Sequence, residues 1–348
     1  MIPGRPRLVA PFMLRRMKTD KAIISDLPDC IVQDVMTTLL PEQAYLYQEA
    51  LTRNLDAISR AEANSRDKQV KRRALVLKLI TELKQICNSP SQYNKQWSET
   101  PDSAKAETLF ELLDECRENG RKVLVFTQYR EMGELLQGWI AKKTGRKPEF
   151  LHGGVSVARR AVMVDDFQNN PDSHILLVSL KAGGTGLNLT AASVVIHYDL
   201  WWNPAVESQA SDRAWRIGQQ RDVLVYRFVT EGTFEERINE MLTEKRRITD
   251  LAVSSGENWV GDMSTSELRA LVCPSGFRHC LRSKGESDEN VEDCGRLRRS
   301  DDDARGGFGT GFCCRNLFPG AGRMPLPERD AGPENPADSV GLCDDRKD

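Results

Sequence analysis

The sequence contains no uninterrupted apolar run approaching the length of about 20 residues that a membrane-spanning helix requires. Residues 1–7 also lack the apolar stretch of a secretory signal peptide. Histidine is scarce, and His152, His174, His197 and His279 form no cluster with metal-ligand spacing. We therefore expect a cytoplasmic protein with no membrane contact and no bound metal of its own.

Cysteine is also scarce in most of the chain. Only Cys30, Cys87 and Cys116 precede residue 273, and their spacing is typical of reduced thiols. The formal net charge is only −2, so any contact with nucleic acid must come from local basic patches. With 348 residues and 39% hydrophobic content, the chain can bury one large core or two ordinary ones.

A regular alternation of helix and strand patterns begins near residue 105. Short apolar segments predict buried strands at 122–127, 149–152, 174–179, 193–198 and 223–229. Helix patterns precede or separate them at 105–119, 130–142 and 156–169. Buried strands that alternate with helices favour a parallel, doubly wound α/β sheet covered on both faces. Ligands of such a sheet gather at the carboxyl ends of its strands.

The preceding region is mostly helical. Residues 30–39 alternate as a strand, and a helical pattern then runs from Pro41 to residue 88 with a charged middle at 60–73. This pattern predicts a helical protrusion with an exposed tip. Its basic residues are explained by a solvated face, with DNA contact as the alternative. Residues 89–103 are predicted to be a loop.

The last long helix has a clear start. Thr233 is its predicted N-cap, Glu236 occupies the capping-box position, and the domain is predicted to end near Val272. From Cys273 onward the chain has many prolines, charge runs and no periodicity, which predicts disorder. The abrupt change at residue 273 also suggests the hypothesis of a frameshifted or out-of-family tail.

Two loops after predicted strands have unusual composition. Gly183, Gly184 and Gly186 would let backbone amides approach an anion, whereas a tight turn that needs glycine for geometry is the alternative. Trp201 and Trp202 follow the fourth of these strands; packing is the simpler role of such aromatics, and contact with nucleic acid is the alternative.

Arg213 and Arg216 are three residues apart, so a helix would place both guanidinium groups on one face. Paired guanidinium groups match the spread-out negative charge of a phosphoryl group in transfer. Asp212 precedes the first arginine and can hold it in position. The alternative is an amphipathic helix with a solvated basic face.

These arginines lie within the run Gln209-Ala210-x-Asp212-Arg213-x-x-Arg216-Ile217-Gly218-Gln219. The run resembles motif VI of the bacterial-type Swi/Snf-related ATPases, which are helicase-like DNA translocases of superfamily 2. Residues 126–129, 151–156 and 179–189 resemble motifs IV, IVa and V of the same family, in the same order. The resemblance extends over about residues 7–252 and concerns the second motor lobe.

The resemblance implies a role for each matched residue. Arg213 and Arg216 would be arginine fingers, and Gln209, Asp212 and Gly184 would couple the nucleotide to the DNA loops. The residues matched to DNA contacts are Thr127, Gln128, Tyr129, His152, Gly153, Ser156, Ser179, Lys181, Gly183, Thr185, Asn188 and Trp202. In this comparison Trp201 matches no DNA contact and is assigned to packing.

The resemblance also implies a fold and a domain order. We expect a RecA-like doubly wound parallel sheet with an inserted helical protrusion and a disordered C-terminal tail. The expected divisions are 1–28 for the end of a first lobe and the inter-lobe junction, 29–104 for a strand and the protrusion, 105–272 for the RecA-like lobe, and 273–348 for the tail.

The sequence contains neither a Gly-x-x-x-x-Gly-Lys-Ser/Thr loop nor an acidic box. ATP and Mg²⁺ would therefore be bound mainly by a first lobe, and the chain alone would be an inactive part of an ATPase. We expect it to act on double-stranded DNA as half of a translocase associated with the nucleoid. The alternatives are a non-catalytic DNA-binding or regulatory fragment, a strand-separating helicase, or the product of a disrupted gene.

Overall fold

The computed structural model describes residues 27–64, 68–180, 182, 186–248, 258–261 and 263–273. The strands are β1 (Cys30–Thr37), β2 (Lys122–Thr127), β3 (Glu149–Leu151), β4 (Ile175–Ser179), β5 (Ala192–His197) and β6 (Val223–Thr230). They form one sheet in the order β1-β6-β5-β2-β4-β3, and every neighbouring pair is parallel. The predicted doubly wound parallel sheet is thus confirmed.

The described helices connect these strands or extend the protrusion. They are α1 (Pro41–Asn64), α2 (Lys68–Asn88), α3 (Pro90–Asn94), α4 (Ala104–Glu118), α5 (Arg130–Thr144), α6 (Val157–Asn169), α7 (Pro204–Ser211), α8 (Phe234–Ile248), α9 (Asn258–Gly261) and α10 (Thr265–Val272). Among them, none combines the length and apolar character needed to cross a lipid bilayer.

Burial along the strands follows their place in the sheet. Every residue of β5, in the interior, is buried, as expected for a strand covered on both faces. At the edge, β1 instead exposes Ile31 and Val32. Because all strands run the same way, the segments that follow β2, β3, β4 and β5 reach the same edge of the sheet, which we call the carboxyl edge.

Separate apolar clusters cover the two faces of the sheet. On one face, Leu109 of α4 and Leu136 of α5 pack with Val125 of β2. On the other face, Met163 and Phe167 of α6 pack with neighbouring strand residues. Burial of large apolar side chains on both faces is the main force that holds helices and sheet together.

A third cluster belongs to the helical protrusion. Leu51 of α1 and Leu79 of α2 are fully buried, and they pack in one cluster with Phe234 of α8 and Leu268 of α10. The hydroxyl of Tyr47 also donates to the carbonyl oxygen of Val272 at 3.0 Å. The chain after β6 therefore returns to the protrusion and packs against it.

The segment predicted to be a loop, residues 89–103, contains the short helix α3. The Ser89 hydroxyl accepts from the Gln92 N–H at 3.3 Å, and Pro90 occupies the first turn. Asp102 also accepts from the hydroxyl of Ser89 at 2.7 Å. A serine cap followed by proline favours a helix start, and this local signal explains the difference from the loop prediction.

The start of α8 agrees with the predicted cap. The Glu235 N–H donates to the Thr233 hydroxyl at 3.2 Å, and the Gly232 N–H donates to the Glu236 carboxylate at 2.9 Å. The expectations for residues 1–26 and 274–348, the lobe junction and the tail, lie outside the described residues and stay predictions.

Candidate functional site

Arg213 and Arg216 lie in a turn and not on a helix face, which corrects the sequence prediction. Helix α7 ends at Ser211. In residues 212–218, which we call the arginine turn, some backbone hydrogen bonds span fewer residues than those of an α-helix. The Arg213 N–H donates to the Ala210 carbonyl, and the Gln219 N–H donates to the Arg216 carbonyl. These three-residue closures interrupt the α-helical pattern, of which the bond from the Trp215 N–H to the Ser211 carbonyl remains.

Arg213 is fixed in a covered position. Its side chain is only 8% exposed, and within the described part of the chain its Nε has no hydrogen-bond partner. Burial lowers the pKa of the guanidinium, the charge of Arg216 lowers it further, and Asp212 opposes both. Arginine stays protonated at neutral pH, so a buried cation is held here.

Arg216 is exposed, and its Nη1 donates to the carbonyl oxygen of Leu187 at 3.5 Å. The carbonyl oxygen of Arg213 accepts from the Leu189 N–H at 3.0 Å. Both arginines therefore contact residues 187–189, which follow the glycine loop. The structure thus brings together the arginine turn and the end of the segment that resembles motif V.

Helix α7 is anchored by charged residues that the sequence analysis missed. The Glu207 carboxylate accepts from the Trp201 N–H at 2.7 Å and from Nε of Arg227 at 3.0 Å. Arg227 also donates to Asp34 of β1 at 2.6 Å. A charged residue inside an otherwise apolar strand, as Arg227 is in β6, was the available signal for such a network.

His197 anchors the carboxyl end of the same helix. Its Nε2 lies 2.9 Å from the hydroxyl of Ser211, the last residue of α7, and its ring stacks on Phe126 at 5.5 Å. Burial, with a smaller effect of Arg227, lowers the pKa of His197 to about 3. The imidazole is therefore neutral at physiological pH.

The side chains of Thr127 and Ser179, both predicted to contact DNA, are buried. Thr127 is fully buried and donates to the carboxylate of Asp199 at 2.6 Å, while Ser179 is 7% exposed. The N–H of Gln128 also donates to Asp199, at 2.9 Å. Burial raises the pKa of Asp199 although these donors act in the opposite direction.

Trp202, which was predicted to contact DNA, is a core residue in the structure. Its side chain is 2% exposed, Lys84 Nζ lies 4.6 Å from the ring centroid, and the Phe234 ring lies at 6.4 Å. An aromatic that stacks on a base needs an exposed face, and the protrusion and α8 cover this one. Trp201 is partly buried against the cluster on one sheet face.

The remaining predicted residues differ in exposure. Gln128, Tyr129, His152 and Asp212 are partly exposed, while Gly153, Ser156, Asn188 and Gln209 are exposed. The Ser156 hydroxyl caps α6 by accepting from the Arg159 N–H at 3.3 Å. Lys181, Gly183, Gly184 and Thr185 lie outside the described residues.

Two family models match the chain: "SNF2-related domain" over residues 6–92 and "Helicase conserved C-terminal domain" over residues 104–218. A solved SWI2/SNF2 ATPase C-terminal domain from Sulfolobus solfataricus is 33% identical, with a TM-score of 0.59. The match covers 70% of this chain and 98% of that one. The chain belongs to the SWI2/SNF2 family of ATPases.

Two further SWI2/SNF2 comparisons define the extent of the match. The Sulfolobus solfataricus ATPase core, solved in complex with double-stranded DNA, is 36% identical to this chain, with a TM-score of 0.63. That match covers 78% of this chain and 56% of the solved one. YwqA of Bacillus subtilis, named an ATP-dependent helicase/translocase, is 41% identical over 268 residues, which are 76% of this chain and 28% of that protein. The chain spans about a quarter of the length of the curated relatives it matches.

Membership of the SWI2/SNF2 family confirms the resemblance inferred from the motifs and associates the chain with ATP-dependent enzymes. The described residues fit the phosphate end of a nucleotide through Arg213 and Arg216. Neither arginine forms an ion pair within those residues. The same residues contain no group of His, Cys, Asp or Glu able to hold a metal ion.

Proposed function

We propose that this chain is the second motor lobe of an ATP-dependent translocase of double-stranded DNA, in which Arg213 and Arg216 act as arginine fingers. The observation that supports this proposal is the arginine turn, where the charges of the buried Arg213 and the exposed Arg216 act on each other. The Asp212 carboxylate also acts on Arg213, but neither arginine forms an ion pair with a described residue. The turn bonds to Leu187 and Leu189, which precede β5, and the Trp215 indole N–H donates to the carbonyl oxygen of Pro28, just before β1.

ATP, when bound between the lobes, supplies the phosphoryl group whose transfer to water drives the motor. Arg216 is exposed and extends toward a partner lobe, while Arg213 adds a second charge from a fixed backbone. Positive charge placed in advance stabilises the negative charge that develops on a transferring phosphoryl group. We assign Mg²⁺ and the phosphate-binding loop to the first lobe, on the same or another polypeptide.

We assign nucleotide coupling to Gln209, Asp212 and Gly184, and DNA-backbone contact to residues that follow β2, β3 and β4 in the sequence. The DNA set is Gln128, Tyr129, His152, Gly153, Ser156, Asn188, Lys181, Gly183 and Thr185. Amide, hydroxyl and helix N-terminal groups hold phosphates without reading sequence, and Ser156 begins a helix of 13 residues. This composition suits a motor that moves along a duplex.

The test compares this chain alone with the chain plus a SWI2/SNF2 first lobe that carries the phosphate-binding loop. We expect DNA-stimulated ATP hydrolysis and displacement of a triplex-forming strand only from the combination. Turnover by the chain alone would contradict the split site. Unwinding of a tailed duplex would favour a strand-separating helicase. Duplex binding with no hydrolysis in any combination would favour a non-catalytic module.

A further inference from the structure

A cavity of about 220 Å³ opens at the amino ends of β2, β3 and β4, and no residue of the arginine turn lines it. We call it the amino-edge cavity. Its wall carries apolar side chains from the strands, α4 and α5: Phe110, Leu113, Val123, Ile140 and Ile175. Its volume is that of roughly seven liquid waters, enough for a ligand of fragment size.

The acidic residues that line this cavity already have partners. Asp114 pairs with Lys143 at 2.6 Å, and Asp166 accepts from the side-chain amide of Asn170 at 2.8 Å. The other two acids are held by arginines: Glu149 by Arg159 at 2.5 Å and Asp172 by Arg146 at 4.0 Å. Three of these four carboxylates are therefore paired with a cation. Asp166 stays charged, with its pKa lowered by the bond to Asn170 and by the charges of Arg146 and Lys122.

Arg121 differs from these paired groups. It lines the cavity, forms no ion pair with any described residue, and its Nη1 is covered without a hydrogen-bond partner there. His174 also lines the cavity, and its Nδ1 is likewise covered without a hydrogen-bond partner among the described residues. A partly buried guanidinium without a counter-charge is costly, and an anion beside it removes that cost. Lys147 is a further lining cation that forms no ion pair with a described residue.

We propose that the amino-edge cavity binds a small organic carboxylate with an apolar body, anchored by Arg121 with His174 as a second polar contact. The planar guanidinium matches a carboxylate through two parallel hydrogen bonds. The five apolar side chains of the wall favour an alkyl or aryl group over a fully hydrated inorganic anion. This inference does not depend on the proposed motor function, because the cavity lining includes neither arginine of the arginine turn nor any described residue assigned to DNA contact.

The probes are hexanoate, hexanol and inorganic phosphate, each titrated into the full 348-residue chain and followed by calorimetry. We expect hexanoate to bind at least about tenfold more tightly than hexanol, which has the same body without the charge. We expect the same margin over phosphate, which has the charge without the body. Equal binding of hexanol or of phosphate, or no binding of hexanoate by the folded chain, would overturn the proposal.

Arg121→Gln should raise the dissociation constant of hexanoate at least about tenfold. The matched control is Lys142→Gln, which removes one positive charge from a residue that pairs with Glu99 at 2.8 Å and does not line the cavity. Equal affinity in the two variants would overturn the role of Arg121. Thermal unfolding of each variant checks that it is folded. If Arg121→Gln is not folded, the affinities of the wild-type chain for hexanoate and hexanol test the proposal instead.

Discussion

The N–H of Leu189 donates a hydrogen bond of 3.0 Å to the carbonyl oxygen of Arg213. A second connection comes from Gln219, whose side-chain amide donates to the carbonyl oxygens of Thr190 at 3.1 Å and Ala192 at 2.8 Å. The arginine turn and the chain that leads into β5 are therefore joined by one backbone hydrogen bond and, next to the turn, by the side chain of Gln219. A shift of either one must break these bonds or carry the other with it.

Arg216→Ala should abolish hydrolysis in the assembled motor while duplex affinity is unchanged. An arginine finger contributes about three to five powers of ten to the rate of phosphoryl transfer. Because Arg216 is exposed, its removal should change the free energy of unfolding by less than about 0.5 kcal/mol. The measurements are steady-state ATPase with saturating DNA, duplex binding and urea unfolding.

The control for that variant is Arg221→Ala. Arg221 is also exposed, lies five residues further along, and donates to the carbonyl oxygen of Gly120 at 3.3 Å. We expect it to keep normal hydrolysis. Normal turnover by Arg216→Ala, or an equal loss in both variants, would remove the finger assignment.

Trp202→Ala should destabilise the fold without changing the affinity of the folded chain for duplex DNA. Removal of a buried aromatic ring costs about 3–5 kcal/mol, since the cavity it leaves relaxes only in part. Trp201→Ala is the comparison, and it should cost less because Trp201 is only partly buried. Weaker DNA binding by Trp202→Ala with unchanged urea unfolding would restore the predicted DNA contact.

The sequence predicted the strands well because each is a short apolar run between helices, a pattern that depends on local residues. It failed at the end of α7, where the helical spacing of Arg213 and Arg216 suggested a common face. The tight turns after Ser211 depend on contacts with Leu189 and with His197, which are distant in sequence. A prediction from the local sequence pattern does not detect contacts between residues that are distant in sequence.

Burial of individual site residues was equally hard to predict. Thr127 and Trp202 follow strands at the carboxyl edge, where ligands gather, but both turn inward in the structure. Thr127 bonds to Asp199, and Trp202 is covered by a protrusion that comes earlier in the chain. Position at a strand end indicates the right edge of the sheet, while the direction of each side chain is set by tertiary packing.

Lys105 and Glu235 form a buried ion pair that connects α4 to the start of α8. The nitrogen lies 2.7 Å from one carboxylate oxygen, and the two side chains are 1% and 2% exposed. Lys105→Met should cost about 3–5 kcal/mol, because it leaves the carboxylate buried and unpaired. Glu235→Gln should also be costly, while the double variant should lose less than the sum of both. Urea unfolding of the four proteins measures this coupling.

The exposed pair Arg130 and Glu134 is the reference for that cycle. The two residues lie one turn apart on α5, and Nε of Arg130 lies 2.8 Å from a carboxylate oxygen of Glu134. Their side chains are 63% and 46% exposed. Exposed helical pairs of this kind contribute about 0.3–0.5 kcal/mol. If the cycle of Lys105 and Glu235 gave a coupling as small as this, the buried pair would not be a principal connection between α4 and α8.

His197 should make stability depend on pH in mildly acid solution. Its folded pKa is lowered to about 3, whereas the ordinary value is 6.5. Below pH 6.5 the unfolded chain takes up a proton that the folded chain does not accept. The stability contributed is therefore complete above pH 6.5 and is lost as pH falls toward 3, by up to about 1.4 kcal/mol per pH unit.

The measurement is the difference between the free energies of urea unfolding of the wild-type chain and of His197→Gln, from pH 7.5 to about pH 5. In this range the proton uptake of a single histidine changes the free energy measurably. A difference is needed because Asp199, whose pKa is raised by burial, gives a slope of opposite sign in acid. Arg227, which lowers the pKa of His197, is present in both proteins and cancels. The advantage of the wild-type chain should shrink steadily below pH 6.5. A constant difference across this range would mean that folded His197 takes up a proton as readily as the unfolded chain does, and the lowered pKa of His197 would then be wrong.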